Sequence, residues 1–108
     1  MEAAIRAIAE PKRRRILELV AERELSAGEI ASKFDVTRPA VSQHLTVLRE
    51  AGLVAERRDG TRRLYSLRPE GFADLRSFLE AFWGEGLERL KRAAEVEEER
   101  RRRGRRAA

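Results

Sequence analysis

The chain has 108 residues, 42% of them hydrophobic and 6% aromatic, enough to build one small core and too few for two. Charged residues make up 40% and the formal net charge is +5, which favours a polyanionic partner. The absence of cysteine excludes a disulfide framework, a thiolate metal site and a thiol switch, and no apolar run reaches membrane-spanning length, so a cytoplasmic protein without membrane contact is expected.

In chain order, Glu2 to Ala9 reads as a short helix with Ala4, Ile5, Ile8 and Ala9 on one side. "EPKRRRILELVAER" starts a second, with Glu10 as a cap, Pro11 at the first helical position and Ile16, Leu17, Leu19 and Val20 as its buried side. The basic run Lys12 to Arg15 coats the helix end where the macrodipole least favours positive charge, which hints at an outside anion. "SAGEIASKF" reads as a short third helix, because Ser26 and Glu29 form an S-x-x-E capping box ahead of Ile30, Ala31 and Phe34. Thr37 caps a fourth helix, "RPAVSQHLTVLREA", which Gly52 stops. Two short helices around a tight turn are the helix-turn-helix pattern.

The runs Leu53 to Arg58 and Thr61 to Leu67 flank Asp59-Gly60, the dipeptide preferred by a type I′ turn, and so predict a hairpin. Arg57, Arg58, Arg62 and Arg63 crowd its tip, more cations than edge protection requires. Pro69 opens a long helix whose stripe holds Phe72, Leu75, Leu79, Phe82, Trp83, Gly86 and Leu90 at about 100° per residue. The end, "EVEEERRRRGRRAA", has i,i+4 Glu and Arg pairs that would prolong the helix, with a disordered Arg-rich tail as the alternative. The fold class is therefore mainly α with a two-stranded β-hairpin, a winged helix-turn-helix of order α-α-α-α-β-β-α. Residues 1–94 are expected to form one domain, and 95–108 a charged extension.

On the fourth helix, steps of about 100° place Val41, Leu45, Leu48 and Gly52 in one narrow arc, the scaffold side. Pro39, Gln43, Thr46 and Glu50 lie opposite, with Ser42 and Arg38 at the shoulder. A helix that needs only solubility wears Lys and Glu; this short-chained polar face suits a major groove, so Arg38, Pro39, Ser42, Gln43 and Thr46 are the base-reading candidates. His44 falls about 60° from the buried centre and reads as a packing residue, with a phosphate contact as the alternative. One histidine without cysteine or a second histidine makes no metal or catalytic site, and no cofactor is expected.

The stretches "PKRRRILELV", "LSAGEIASKFDVTRPAVSQHLTVLREAGLV" and "AERRDGTRRLYSL", over roughly Ala9 to Leu67, resemble the ArsR-type winged-helix family of bacterial transcriptional regulators. The resemblance implies a homodimer joined through its first and last helices, with helix 38–51 in the major groove and the 57–63 wing on the flanking backbone or minor groove. Ser26 and Gly28 stand where many members carry a C-x-C metal pair, and the last helix has no His, so the chain is similar to the non-metal-sensing branch, and any small-molecule effector is not written in known ligands. Ser26, Thr37, His44, Arg57, Arg58, Arg62 and Arg63 are the candidates for backbone and wing contacts. Ile5, Ile8, Phe72, Leu75, Leu79, Phe82, Trp83, Gly86 and Leu90 are those for the dimer interface, since the last stripe is longer than a core of this size needs.

The expected function is a homodimeric repressor of transcription that reads an inverted repeat in double-stranded DNA. The alternative is a winged helix used for protein interaction or architectural DNA binding without operator specificity. An enzyme would need a nucleophile and a base that the sequence lacks.

Overall fold

The computed structural model describes residues 1–107, with the side chains of Phe82, Trp83 and Ala107 outside the described set. Its elements are α1 (Glu2–Ala9), α2 (Pro11–Glu22), α3 (Ala27–Ala31), α4 (Arg38–Glu50), β1 (Val54–Asp59), β2 (Arg62–Leu67) and α5 (Pro69–Ala107). Contacts divide the chain into two compact units, Met1–Arg76 and the part from Ser77 onward.

The helix ends form where their local chemistry dictates. Glu10 accepts from the Arg13 amide at 3.0 Å, with Pro11 opening α2. Ser26 accepts from the Glu29 amide at 3.2 Å while Glu29 accepts from the Ser26 amide at 3.0 Å, which completes the reciprocal capping box of α3. Thr37 accepts from the Ala40 amide at 3.3 Å to start α4. At the other end of α4, Gly52 has φ 78°, its amide donates to Arg49 and that of Leu53 to Leu48, the paired bonds of a Schellman ending.

The core of the first unit is Ile16, Leu17, Leu19 and Val20 of α2, Ile30 of α3, Val41, Leu45 and Leu48 of α4, and Leu25, Leu53 and Val54, with Ala4 and Ala7 of α1 packed on it. The inner side of α1 thus differs from the expected one: Ala4 and Ala7 are buried, Ile8 is half-buried and Ile5 is exposed. Small residues let α1 lie close against its neighbours, which turns the bulkier Ile5 outward.

The hairpin is antiparallel, with Val54 opposite Leu67 and Asp59 opposite Arg62. β1 lies one residue later than the expected run, and β2 starts one residue later but ends at Leu67 as expected: Asp59 ends β1, so the turn is Gly60-Thr61. Of these two turn residues only Gly60 has positive φ, 65°, which a type I′ turn does not allow and which fits type II′ with glycine first. A feature without sequence signal is the isolated bridge of Leu25 to Tyr65, closed by Tyr65 N to Leu25 O at 2.8 Å and Leu25 N to Tyr65 O at 3.1 Å.

At the start of α5, Gly71 lies against the end of α4, where a Cβ would overlap the Gly52 carbonyl oxygen. Further along, Gly84 leaves the helical region, with φ 33° and ψ −122°. The stripe counted at one continuous phase therefore runs only as far as this kink, and Gly86 and Leu90 follow a new phase. Residues 95–107 are helical, with Glu97 to Arg101 at 3.7 Å, Glu98 to Arg102 at 2.8 Å and Glu99 to Arg103 at 3.6 Å.

Candidate nucleic-acid interface

α4 presents two chemically distinct faces. Val41, Leu45 and Leu48 are at most 1% exposed, whereas Arg38, Pro39, Ser42, Gln43 and Thr46 all face solvent. The helix therefore turns to solvent the short polar side chains that the periodicity assigned outward. The Thr46 hydroxyl donates to the Ser42 carbonyl at 3.0 Å, so toward a partner it offers acceptor lone pairs. Val47, 39% exposed on the same helix, was not singled out from the sequence; a branched apolar group in such a place is suited to a methyl group rather than to a polar edge.

Ser26 and Ala27 at the start of α3, Arg38 and Ser42 near the start of α4, and Thr61, Arg62, Arg63 and Tyr65 of the hairpin line one open cleft of about 540 Å³. The elements meet there because the Leu25–Tyr65 bridge ties β2 to the segment that leads into α3. Hydroxyl groups and guanidinium groups on three sides give the cleft the chemistry of a phosphate cradle. Burial, then the charge of the nearby Glu56 carboxylate and a hydrogen bond to it, raises the Tyr65 phenol above its ordinary value.

The four hairpin arginines are not equivalent. Arg57 meets Glu24 through a two-pronged pair, Nε to Oε2 at 2.7 Å and Nη2 to Oε1 at 2.8 Å. Arg62 donates to Glu29 Oε1, and Arg63 Nε lies 3.7 Å from Glu56 Oε1, a carboxylate shared with Arg49 at 3.0 Å. Among the described residues Arg58 makes no ion pair; across the ladder it faces Arg63. The hydrogen bonds of Arg57 lower the Glu24 carboxyl, and those of Ser26, with help from Arg62 and Arg23, lower that of Glu29.

Two other sequence candidates do not line the cleft. His44 is turned to α2, with Nδ1 3.4 Å from Arg13 Nη1 and Nε2 4.0 Å from Glu10 Oε2, and its side chain is 18% exposed. Thr37 is engaged as the cap of α4. The run Lys12 to Arg15 finds much of its anion inside the molecule: Arg13 donates to the Ala7 and Arg6 carbonyls at 2.7 and 3.3 Å, and Arg14 to those of Ile8 and Ala9 at 2.7 and 3.1 Å. These are the unpaired carbonyls at the negative end of α1, so an outside anion is not needed to explain the two arginines.

Of the interface candidates, Leu75 is buried, Ile8, Phe72 and Leu79 are half-buried, and Ile5, Gly86 and Leu90 are exposed, Leu90 by 67%. The side chains of Phe82 and Trp83 lie outside the described residues. Among the described residues no group of three His, Asp or Glu converges as a metal site would require, and no helix is long and apolar enough to cross a membrane.

A family profile described as "Bacterial regulatory protein, arsR family" matches residues 10–56. The chain is 49% identical over 86 residues to the HTH-type transcriptional regulator Rv2034 of Mycobacterium tuberculosis, covering 80% of each chain. It is 33% identical over 86 residues to the transcriptional repressor SdpR of Bacillus subtilis, covering 80% of this chain and 96% of that one. Among solved structures it is similar to the homodimeric winged helix-turn-helix DNA-binding domain of Mb0332 from Mycobacterium bovis, a possible ArsR-family regulator. That match has a TM-score of 0.63 and 31% identity, and covers 78% of each chain.

Proposed function

Because the chain belongs to the arsR family of bacterial regulatory proteins, we propose that this transcriptional regulator is a homodimeric repressor reading an inverted-repeat operator. The winged helix-turn-helix is its DNA-binding domain. The observation that carries the reading is the outer face of α4: Arg38, Ser42, Gln43 and Thr46 are exposed beside a cleft lined by Ser26, Arg62 and Arg63. α4 enters the major groove, where Ser42 and Gln43 reach base edges and Arg38, Pro39 and Thr46 frame them. Ser26, Thr37 and the wing arginines, with Arg58 foremost, lie along the flanking backbone, and His44 serves the packing of α4.

Residues 1–94 carry DNA binding and dimerisation, and 95–108 are a charged extension. The exposed Ile5, Leu87 and Leu90 are apolar surface that a second copy would cover, and the homodimeric state of the similar Mycobacterium bovis domain supports this. Two copies related by a twofold axis would meet half-sites roughly 34 Å apart. Repression is supported by the likeness to SdpR. The absence of Cys and the single His support regulation without a metal, and membership of a DNA-binding regulator family supports a place in the cytoplasm with the DNA.

The test is retention of random double-stranded DNA by the purified protein at physiological salt, followed by sequencing. A short inverted repeat is the expected product. Sequence-blind retention would move the domain to an architectural role, and no retention to protein binding.

A further inference from the structure

We propose that Glu24 and Glu29 restrain the wing's sequence-independent hold on DNA by occupying Arg57 and Arg62, an inference that rests on the DNA-binding reading above. The two arginines stand on different strands, and each meets a carboxylate from the segment that joins α2 to α3 or from the first turn of α3. Glu24 takes the Nε and Nη2 edge of Arg57, the same fork that would grip a phosphate with two parallel bonds. Phosphate binding through that edge and the Glu24 pair are mutually exclusive.

Glu29 is held even more firmly in place. Its Oε1 accepts from both the Ser26 amide and Arg62 Nη2, so withdrawing the carboxylate from the arginine would open the cap of α3. Both carboxyls are charged at neutral pH, and their hydrogen bonds hold them below the ordinary value. With Arg63 near Glu56, the tip that carries four arginines in sequence leaves Arg58 alone uncompensated among the described residues. In each pair the arginine is more than half exposed and its carboxylate half-buried, so the pairs are weak one by one; a phosphate set against them by a docked α4 can take the arginine over, whereas a passing duplex finds little free charge. The phosphate attraction that is damped is the part of the affinity that carries no sequence information.

The experiment measures binding of a short random-sequence duplex over a salt series by the wild type, Glu24→Gln, Glu29→Gln and the double variant. Glutamine keeps the capping box at position 29, so the fold of α3 is retained. Each single change is expected to raise affinity about 5- to 10-fold near 0.1 M salt and to steepen the salt slope by about one. The gain from Glu29→Gln is expected to vanish in an Arg62→Ala background, and that from Glu24→Gln in Arg57→Ala. Unchanged or weaker binding by both glutamine variants overturns the proposal, as does a gain that persists without the arginine, which would trace it to net charge alone. A wild type that binds no duplex even at low salt would sink the DNA-binding reading itself, and the inference with it.

Discussion

Arg13 Nη1 lies 3.4 Å from Nδ1 of His44, and the same guanidinium donates to the Ala7 and Arg6 carbonyls. One side chain thus touches the end of α1 and the flank of α4. A guanidinium has no acceptor, so Nδ1 must accept, which leaves the proton of the neutral ring on Nε2.

Burial lowers the His44 pKa from the ordinary 6.5; Glu10 opposes the shift, and Arg13 and Lys12 add to it. The unfolded chain therefore takes up this proton before the folded one does, and stability falls as pH falls through the ordinary value toward the lowered one. Urea midpoints at about pH 7.5 and about pH 5.5 test this: the wild type should lose more on acidification than His44→Gln. Equal losses would assign the acid sensitivity to other groups.

Gln43 and Leu45 are near neighbours with opposite duties. Leu45→Ala removes a side chain 1% exposed and should cost about 2–5 kcal/mol in denaturant unfolding. Gln43→Ala should leave that midpoint within about 0.5 kcal/mol, since it is exposed, yet weaken operator binding by about 1–3 kcal/mol and relax one base position. A uniform loss on every DNA would remove Gln43 from base reading.

Gly71→Ala places a methyl group on the Gly52 carbonyl and should cost about 1–3 kcal/mol by urea titration. Gly104→Ala meets nothing within 4 Å and should instead raise helical circular dichroism, by about 1 kcal/mol of local propensity. A tolerated Gly71→Ala would show that α5 can lift from the end of α4.

Leu90, 67% exposed, tests the proposed homodimer. Leu90→Glu should leave the helix content unchanged and shift sedimentation toward the monomer. A variant that sediments as the wild type does would place the dimer contact elsewhere.

What the sequence made legible was local: Ser26 with Glu29, Thr37 and Gly52 each write a cap in one or two side chains, and the caps stand where they were read. The faces of α4 followed from the same short-range periodicity. The turn slipped by one residue because Asp-Gly suits both the middle of a turn and its entrance, and strand pairing, a distant relationship, decides between them. The partners of Arg57, Arg62, Arg13 and Arg14 are likewise set by packing, which is why a basic run and an arginine-rich tip looked freer in sequence than they are. At Gly84 a single departure from helical angles resets a count that periodicity carries straight through.

The bridge from Leu25 to Tyr65 bears on how this surface comes into being. A two-stranded ribbon alone is marginal in water, and this one takes its third point of attachment from a residue far back in the chain that is itself 1% exposed. The wing is thus a long-range structure, completed only once α2 and the start of α3 have met it. Arg57 and Arg62 find their carboxylate partners, Glu24 and Glu29, only where that segment lies against the hairpin, so an unfolded chain carries the same charges without those pairs.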